Sequence, residues 1–163
     1  EALLFSETMG ENIGYGLDVT DPERIQQATG IAQLRETIAG LPNGFDTRLG
    51  ERGINLSGGQ KQRTALARAL ARAPRVVLLD DALSAVDTQT EAAILHELRT
   101  ALQGRTALIA SHRVSAVRDA DHILVLDDGR IVEQGTHEQL MRLGQRYTEL
   151  LQRQQLLEAI EAA

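Results

Sequence analysis

The chain has 163 residues, 42% hydrophobic and 25% charged, with a formal net charge of −6 and no cysteine. That is enough chain for one domain with its own core. The acidic balance argues against a general nucleic-acid-binding surface, and the lack of cysteine excludes disulfides and thiolate metal sites. The longest apolar runs, 76–79 and 123–126 among them, have four residues, against the roughly 20 that a membrane span needs.

Residues 1–55 are polar and broken by glycine. "DPERIQQATGIAQLRETIAGLP" (21–42) predicts two short helices, with Asp21 as N-cap, Pro22 at the first helical position, and Gly30 and Gly40 as stops. "NGFDTRLGERGINLSGG" (43–59) holds five glycines in 17 residues and reads largely as loop. A helix follows over 58–73, with Ala65, Leu66, Ala69 and Leu70 on one face. "RVVLLD" (75–80) and "TALIAS" (106–111) are short continuous apolar runs flanking a helical pattern over 88–103. This is strand–helix–strand, and such strands suggest a parallel sheet covered on both faces. "HILVLDDGRIVEQG" (122–135) reads as a hairpin turning at Asp128-Gly129. The stretch 137–160 is helical, and Leu140, Leu143, Tyr147, Leu150, Leu151, Leu157 and Ile160 could line one side. That side would pack on the domain or serve as a dimer zipper.

Three places carry candidate chemistry. Ligands of open parallel sheets sit at the carboxyl ends of the strands. Asp80 stands at such an end, where a carboxylate can hold Mg²⁺ beside a nucleotide phosphate or cap the turn that follows. In "LSGGQ" (56–60), Ser57 and Gln60 have capping-box spacing. Capping alone does not call for Gly58 and Gly59, each costing up to about 1 kcal/mol in a helix against alanine. Their bare amides at a helix N-terminus suit a phosphate. His112 follows the second apolar strand in "ASHR", on the same edge as Asp80 if the strands are parallel. It could bond a phosphate or an attacking water, or be an ordinary surface histidine. His96, His122 and His137 read as solvated or packed residues.

The order of these motifs resembles the C-terminal two-thirds of the nucleotide-binding domain of an ABC transporter, most closely of exporter-type half-transporters. "LSGGQ" matches the family signature, "VVLLDD" (76–81) the Walker B strand, "SAVD" (84–87) resembles the D-loop, and His112 falls on the switch histidine. "GERG" (Gly50, Glu51, Arg52, Gly53) resembles the X-loop that meets the membrane domain, and "DADHILVLDDGRIVEQGTHEQL" (119–140) the usual ending. The implied fold class is α/β: a partial P-loop NTPase core with parallel strands flanked by helices, plus a helical signature subdomain. The implied division is 1–74, 75–136 and 137–163. Implied cofactors are ATP and Mg²⁺, with Asp80 on the metal and Ser57, Gly58, Gly59, Gln60 and Asp87 at nucleotide. Asp81 and His112 are catalytic in this reading. Implied partners are a second nucleotide-binding domain, head to tail, and transmembrane domains through the X-loop, at the cytoplasmic face of a membrane.

The sequence departs from the pattern in three ways. A Walker A needs a Gly-Lys pair, and the only lysine, Lys61, follows Gln60. The Q-loop glutamine and the adenine-stacking aromatic are missing as well. The expectation is therefore a piece of a longer chain that by itself binds ATP weakly or not at all. Asp81 stands where the family usually has glutamate, one methylene longer, which predicts a degenerate, slowly hydrolysing site. An intact signature beside such a site points to a heterodimer. Arg48 replaces a glutamate common in exporters. Two other readings remain: an ABC ATPase without a membrane domain, and an interaction-only fragment.

Overall fold

Residues 2–19, 21–50 and 54–161 are described by the computed structural model. Helix α1 (Met9–Gly14) starts at a box the sequence reading did not single out. Thr8 Oγ1 accepts from the Glu11 amide at 3.1 Å, and Glu11 Oε2 accepts from the Thr8 amide at 2.9 Å. Helix α2 (Pro22–Ile31) starts as expected, with Asp21 Oδ1 accepting from the Glu23 and Arg24 amides, both at 3.1 Å. Gly30 lies one residue inside it. The stop comes at Gln33, whose φ of 52° turns the chain into α3 (Arg35–Ala39). A 3-10 turn, Gly44–Asp46, and loop then lead to α4 (Gly58–Ala71). Met9, Ile13, Leu34, Leu49 and Ala67 are almost fully buried and form the centre of this helical part.

Strand β1 (Val76–Asp80), helix α5 (Thr88–Ala101) and strand β2 (Thr106–Ala110) follow, with β1 and β2 a two-stranded parallel pair. β1 is not buried on both faces. Val77 and Leu79 are inside, but Val76 and Leu78 are 60% and 70% exposed. The apolar run correctly signals a strand. Burial of its second face needs a covering layer that the described residues do not supply.

Past β2, α6 (Val114–Val117) precedes the hairpin of β3 (Ile123–Asp127) and β4 (Arg130–Gly135). Asp128 and Gly129 have φ of 45° and 72°. Positive φ at both central residues is what a type I′ turn requires. The pairing slips between Val125↔Glu133 and Leu126↔Ile131, leaving Val132 as the extra residue of a bulge.

The C-terminal stretch is not one helix. Gly144, in the left-handed region with φ of 65°, ends α7 (His137–Leu143), and α8 (Arg146–Glu161) starts afresh. That break interrupts the expected apolar side. Leu140 and Tyr147 join a buried cluster with Val114, Ile123 and Val125, and Leu150 and Leu151 pack on it. Leu143, Leu157 and Ile160 stand 53%, 53% and 64% exposed.

The chain forms two compact units, 1–108 and 109–163. This partition follows compactness. The division at 74/75 and 136/137 follows motifs, so the two cut the chain at different points.

Candidate functional site

The site is built first on the tip of α4. Ser57 Oγ accepts from the Gln60 amide at 3.3 Å and Gln60 Oε1 accepts from the Ser57 amide at 2.9 Å. The capping box is thus real, and it occupies both side chains. The amides of Gly58 and Gly59 take no part in it. The two glycines have different reasons to be there. A Cβ on Gly59 would stand 2.6 Å from the Ala85 carbonyl oxygen, so this position must lack a side chain for packing alone. A Cβ on Gly58 would meet only Ala85 Cβ at 3.6 Å, an ordinary contact. Gly58, which costs helix stability and fills no steric need, is the residue that capping and packing leave unexplained.

Three side chains of α4 fix the tip by grasping three separate segments. Gln62 Nε2 donates to Ser84 Oγ at 2.9 Å, and Gln62 Oε1 accepts from the Ala85 amide at 2.8 Å. Arg63 donates to the Gln33 carbonyl. Arg68 donates to the Asn12 carbonyl at 2.7 Å, to Asn12 Oδ1 at 2.9 Å and to the Leu3 carbonyl at 2.9 Å. Its guanidinium also lies 4.9 Å from the Phe5 ring centre, in cation–π range. Asn12 is fully buried and donates in turn to the Phe5 and Thr8 carbonyls, both at 3.0 Å. Partial burial pulls the Arg68 and Arg63 guanidinium groups below their ordinary range, and the Asp87 charge opposes this at Arg63. Both stay charged. Sequence reading missed these anchors. No motif marks a helix that reaches partners up to 65 residues away in sequence.

Asp80 ends β1 with its carboxylate exposed. Asp81, next in the chain, has φ of 43°. Non-glycine residues seldom adopt this region, aspartate more readily than most, and such strain concentrates at functional sites. The Ser84 amide bonds the Asp81 carbonyl at 3.2 Å and the Val86 amide the Leu83 carbonyl at 3.0 Å. Two short turns therefore lead from Asp81 to Asp87. Asp87 caps α5 by accepting from the Thr90 amide at 2.9 Å. Those bonds to Thr90, with a smaller contribution from the Arg63 charge, hold its carboxyl below the usual range. Tip, Asp80, Asp81 and Asp87 all belong to the first compact unit.

His112 lies in the second unit, exposed, after β2. The helix behind it, α6, has no side-chain cap of its own at Arg113. Gln154 of α8 supplies one, accepting from the Val114 amide at 2.7 Å and donating to Ser115 Oγ at 3.0 Å. Of the expected X-loop only Gly50 is described; Glu51, Arg52 and Gly53 lie outside the described residues. Arg48, just before it, forms an exposed ion pair with Glu7 at 3.1 Å, a contact worth about 0–1 kcal/mol.

The model of the family described as "ABC transporter" matches residues 2–84, taking in the α4 tip and both acids of the β1 end. The chain belongs to the ABC transporter family. It is 51% identical over 160 residues to the "Probable multidrug resistance ABC transporter ATP-binding/permease protein YheI" of Bacillus subtilis, covering 98% of this chain and 27% of that protein. It is 46% identical over 154 residues to the "ATM1-type heavy metal exporter" of Novosphingobium aromaticivorans, covering 94% of this chain and 25% of that one. Among solved structures, a bacterial Atm1-family ABC exporter with ATP bound superposes with a TM-score of 0.87 at 46% identity, over 94% of this chain and 27% of that one. The chain thus spans about a quarter of the length of these ABC exporters and corresponds to part of their ATPase domain. Among its described residues no helix is long and apolar enough to cross a membrane.

Proposed function

We propose that this chain forms part of the ATPase engine of an exporter for a small or hydrophobic substrate, working at the cytoplasmic face of a membrane and joined to transmembrane domains near Gly50. In this reading the amides of Gly58 and Gly59 serve a nucleotide held chiefly by a second nucleotide-binding domain, paired head to tail. The observation that carries it is the α4 tip: an exposed helix N-terminus, pre-capped by Ser57 and Gln60, with space above a glycine that packing does not require. Pre-formed amides need no rearrangement to meet a phosphate.

At its own site the chain would present Asp80 and Asp81 to Mg²⁺·ATP. Mg²⁺ keeps several waters and takes one or two carboxylates plus phosphate oxygens, and a single exposed carboxylate at a strand's carboxyl end fits that donor set. The described residues hold no cluster of three or more His, Asp or Glu able to take a metal unaided, and this arrangement does not call for one. Bound there, the cation would offset phosphate charge. Asp81 would orient and deprotonate the attacking water, and His112 would bond the phosphate or that water. The shorter stem of Asp81 withdraws its carboxylate by about one C–C bond, enough to slow in-line attack up to about 100-fold. A slow site beside a complete signature supports a heterodimer, with the faster site on the partner's Walker B face and Asp87 at the interface between them.

The test is Asp81→Glu in the complete transporter, trapped as a defined dimer. Turnover at this site should rise at least about tenfold. Unchanged turnover would remove the geometric deficit from the account.

A further inference from the structure

The same residues suggest how one nucleotide site learns the state of the other. We infer that Gln62 is a positioning residue that clamps the α4 tip to the loop leading back to Asp81, so that the two move as one piece. The inference rests on the nucleotide roles proposed above for the tip and for Asp81, and adds the link between them.

Gln62 sits little more than one turn beyond Ser57 on α4. Its amide uses both ends on consecutive residues, donating to Ser84 Oγ at 2.9 Å and accepting from the Ala85 backbone amide at 2.8 Å. An amide can bridge a donor and an acceptor at once, which a hydrocarbon of the same shape cannot. The Ala85 carbonyl lies so close over Gly59 that any side chain there would collide with it. Gly59 against the Ala85 carbonyl and Gln62 on the Ala85 amide therefore press the two peptides that flank Ala85 onto the first turns of α4. On its other flank, Ser84 bonds through its amide to the Asp81 carbonyl at 3.2 Å. The path from tip to acid thus consists of one side chain and one tight turn. A phosphate that seats or leaves the tip would shift the 84–87 loop, and with it the orientation of Asp81 and Asp87.

The test uses the complete transporter. Gln62→Leu keeps shape and removes both bonds. Gln62→Glu can keep both, accepting from the Ala85 amide and from the Ser84 hydroxyl. The expected result for Gln62→Leu is a kcat lowered by about tenfold, with the KM for ATP within about twofold and a Hill coefficient for ATP falling toward one, as two lost hydrogen bonds would allow. Gln62→Glu should restore kcat and cooperativity together. Ser84→Ala, which takes away the hydroxyl that accepts from Gln62 and leaves the Ala85 bond in place, should fall between and keeps the test decisive should Gln62→Leu fail to fold. Wild-type kcat and cooperativity in a folded Gln62→Leu or Ser84→Ala protein would overturn the clamp, as would a Gln62→Leu defect lying in KM alone. Gly58→Ala, measured alongside, reads the tip itself. A silent Gly58→Ala refutes the nucleotide role of the tip, and the clamp with it. A damaging Gly58→Ala beside a silent Gln62→Leu refutes only the clamp.

Discussion

Helices α4 and α8 have 14 and 16 residues, and both make directional bonds to other segments, but over different stretches of their length. α4 is fixed along its length by polar side chains: Gln62 holds 84–85, Arg63 the turn at Gln33, and Arg68 the buried Asn12 and the carbonyl of Leu3. Among the described residues, such bonds hold α8 from its start as far as Gln154. Buried Glu133 accepts from the Arg146 and Tyr147 amides, the latter at 3.2 Å, Tyr147 fills the cluster, and Gln154 caps α6. Beyond that, Leu156, Leu157 and Ile160 are exposed. Apolar burial sets where a helix lies but leaves its rotation and sliding loosely specified. Directional bonds from one helix to three segments specify both. In the role proposed for the α4 tip, presenting two amides to a ligand, the second kind of support is the one required.

The largest effect should follow from breaking the strongest of these anchors. Arg68→Ala removes three hydrogen bonds and leaves the Asn12 carbonyl without its guanidinium partner, a cost of about 2–4 kcal/mol. Hydrogen exchange of α4 amides in the intact protein should accelerate accordingly. Unaltered protection would show that Arg68 is not among the anchors that fix α4.

Next comes the contrast between neighbouring glycines. Gly59→Ala drives a methyl into the Ala85 carbonyl and should destabilise the α4 tip by about 1–3 kcal/mol. Gly58→Ala meets only an ordinary contact and should leave the tip as stable or up to about 1 kcal/mol more so. ATP hydrolysis should fall in both. A loss of stability in Gly58→Ala would mean that the space above it is already spoken for by the protein.

The smallest effect belongs to the far end of α8. Leu157→Ala should change stability by no more than about 0.5 kcal/mol, measured by hydrogen exchange across α7 and α8. A change above about 2 kcal/mol would place that leucine in a buried contact of the intact protein.

Much of this was legible because it is local. A capping box needs residues three apart, so Ser57/Gln60 could be read directly. Asp21-Pro22 marks a helix start for the same reason, and Asp128-Gly129 a turn, since few residues tolerate two positive φ values in succession. The ordered motifs added the family, and the family model and relatives agree with it. The stretch 137–160 is helical as read, but the single apolar side drawn along it breaks at Gly144, because a glycine within a helical pattern can be either a tolerated interior residue or a left-handed stop. The covered sheet failed at Val76 and Leu78, because an apolar run reports what a strand can bury and says nothing of which layer is present to bury it.

By itself, then, the sequence determined the elements, the acids and glycines available for chemistry, and the family, since each is written within a few adjacent residues. Only the tertiary structure decided which glycine of the tip is there for packing, that Asp81 takes a left-handed backbone, and that Gln62 ties the tip to the loop behind that acid. The first and last depend on atoms that meet across 20 or more residues of chain, where sequence spacing carries no information, and the Asp81 backbone is a dihedral that no residue pattern prescribes for aspartate.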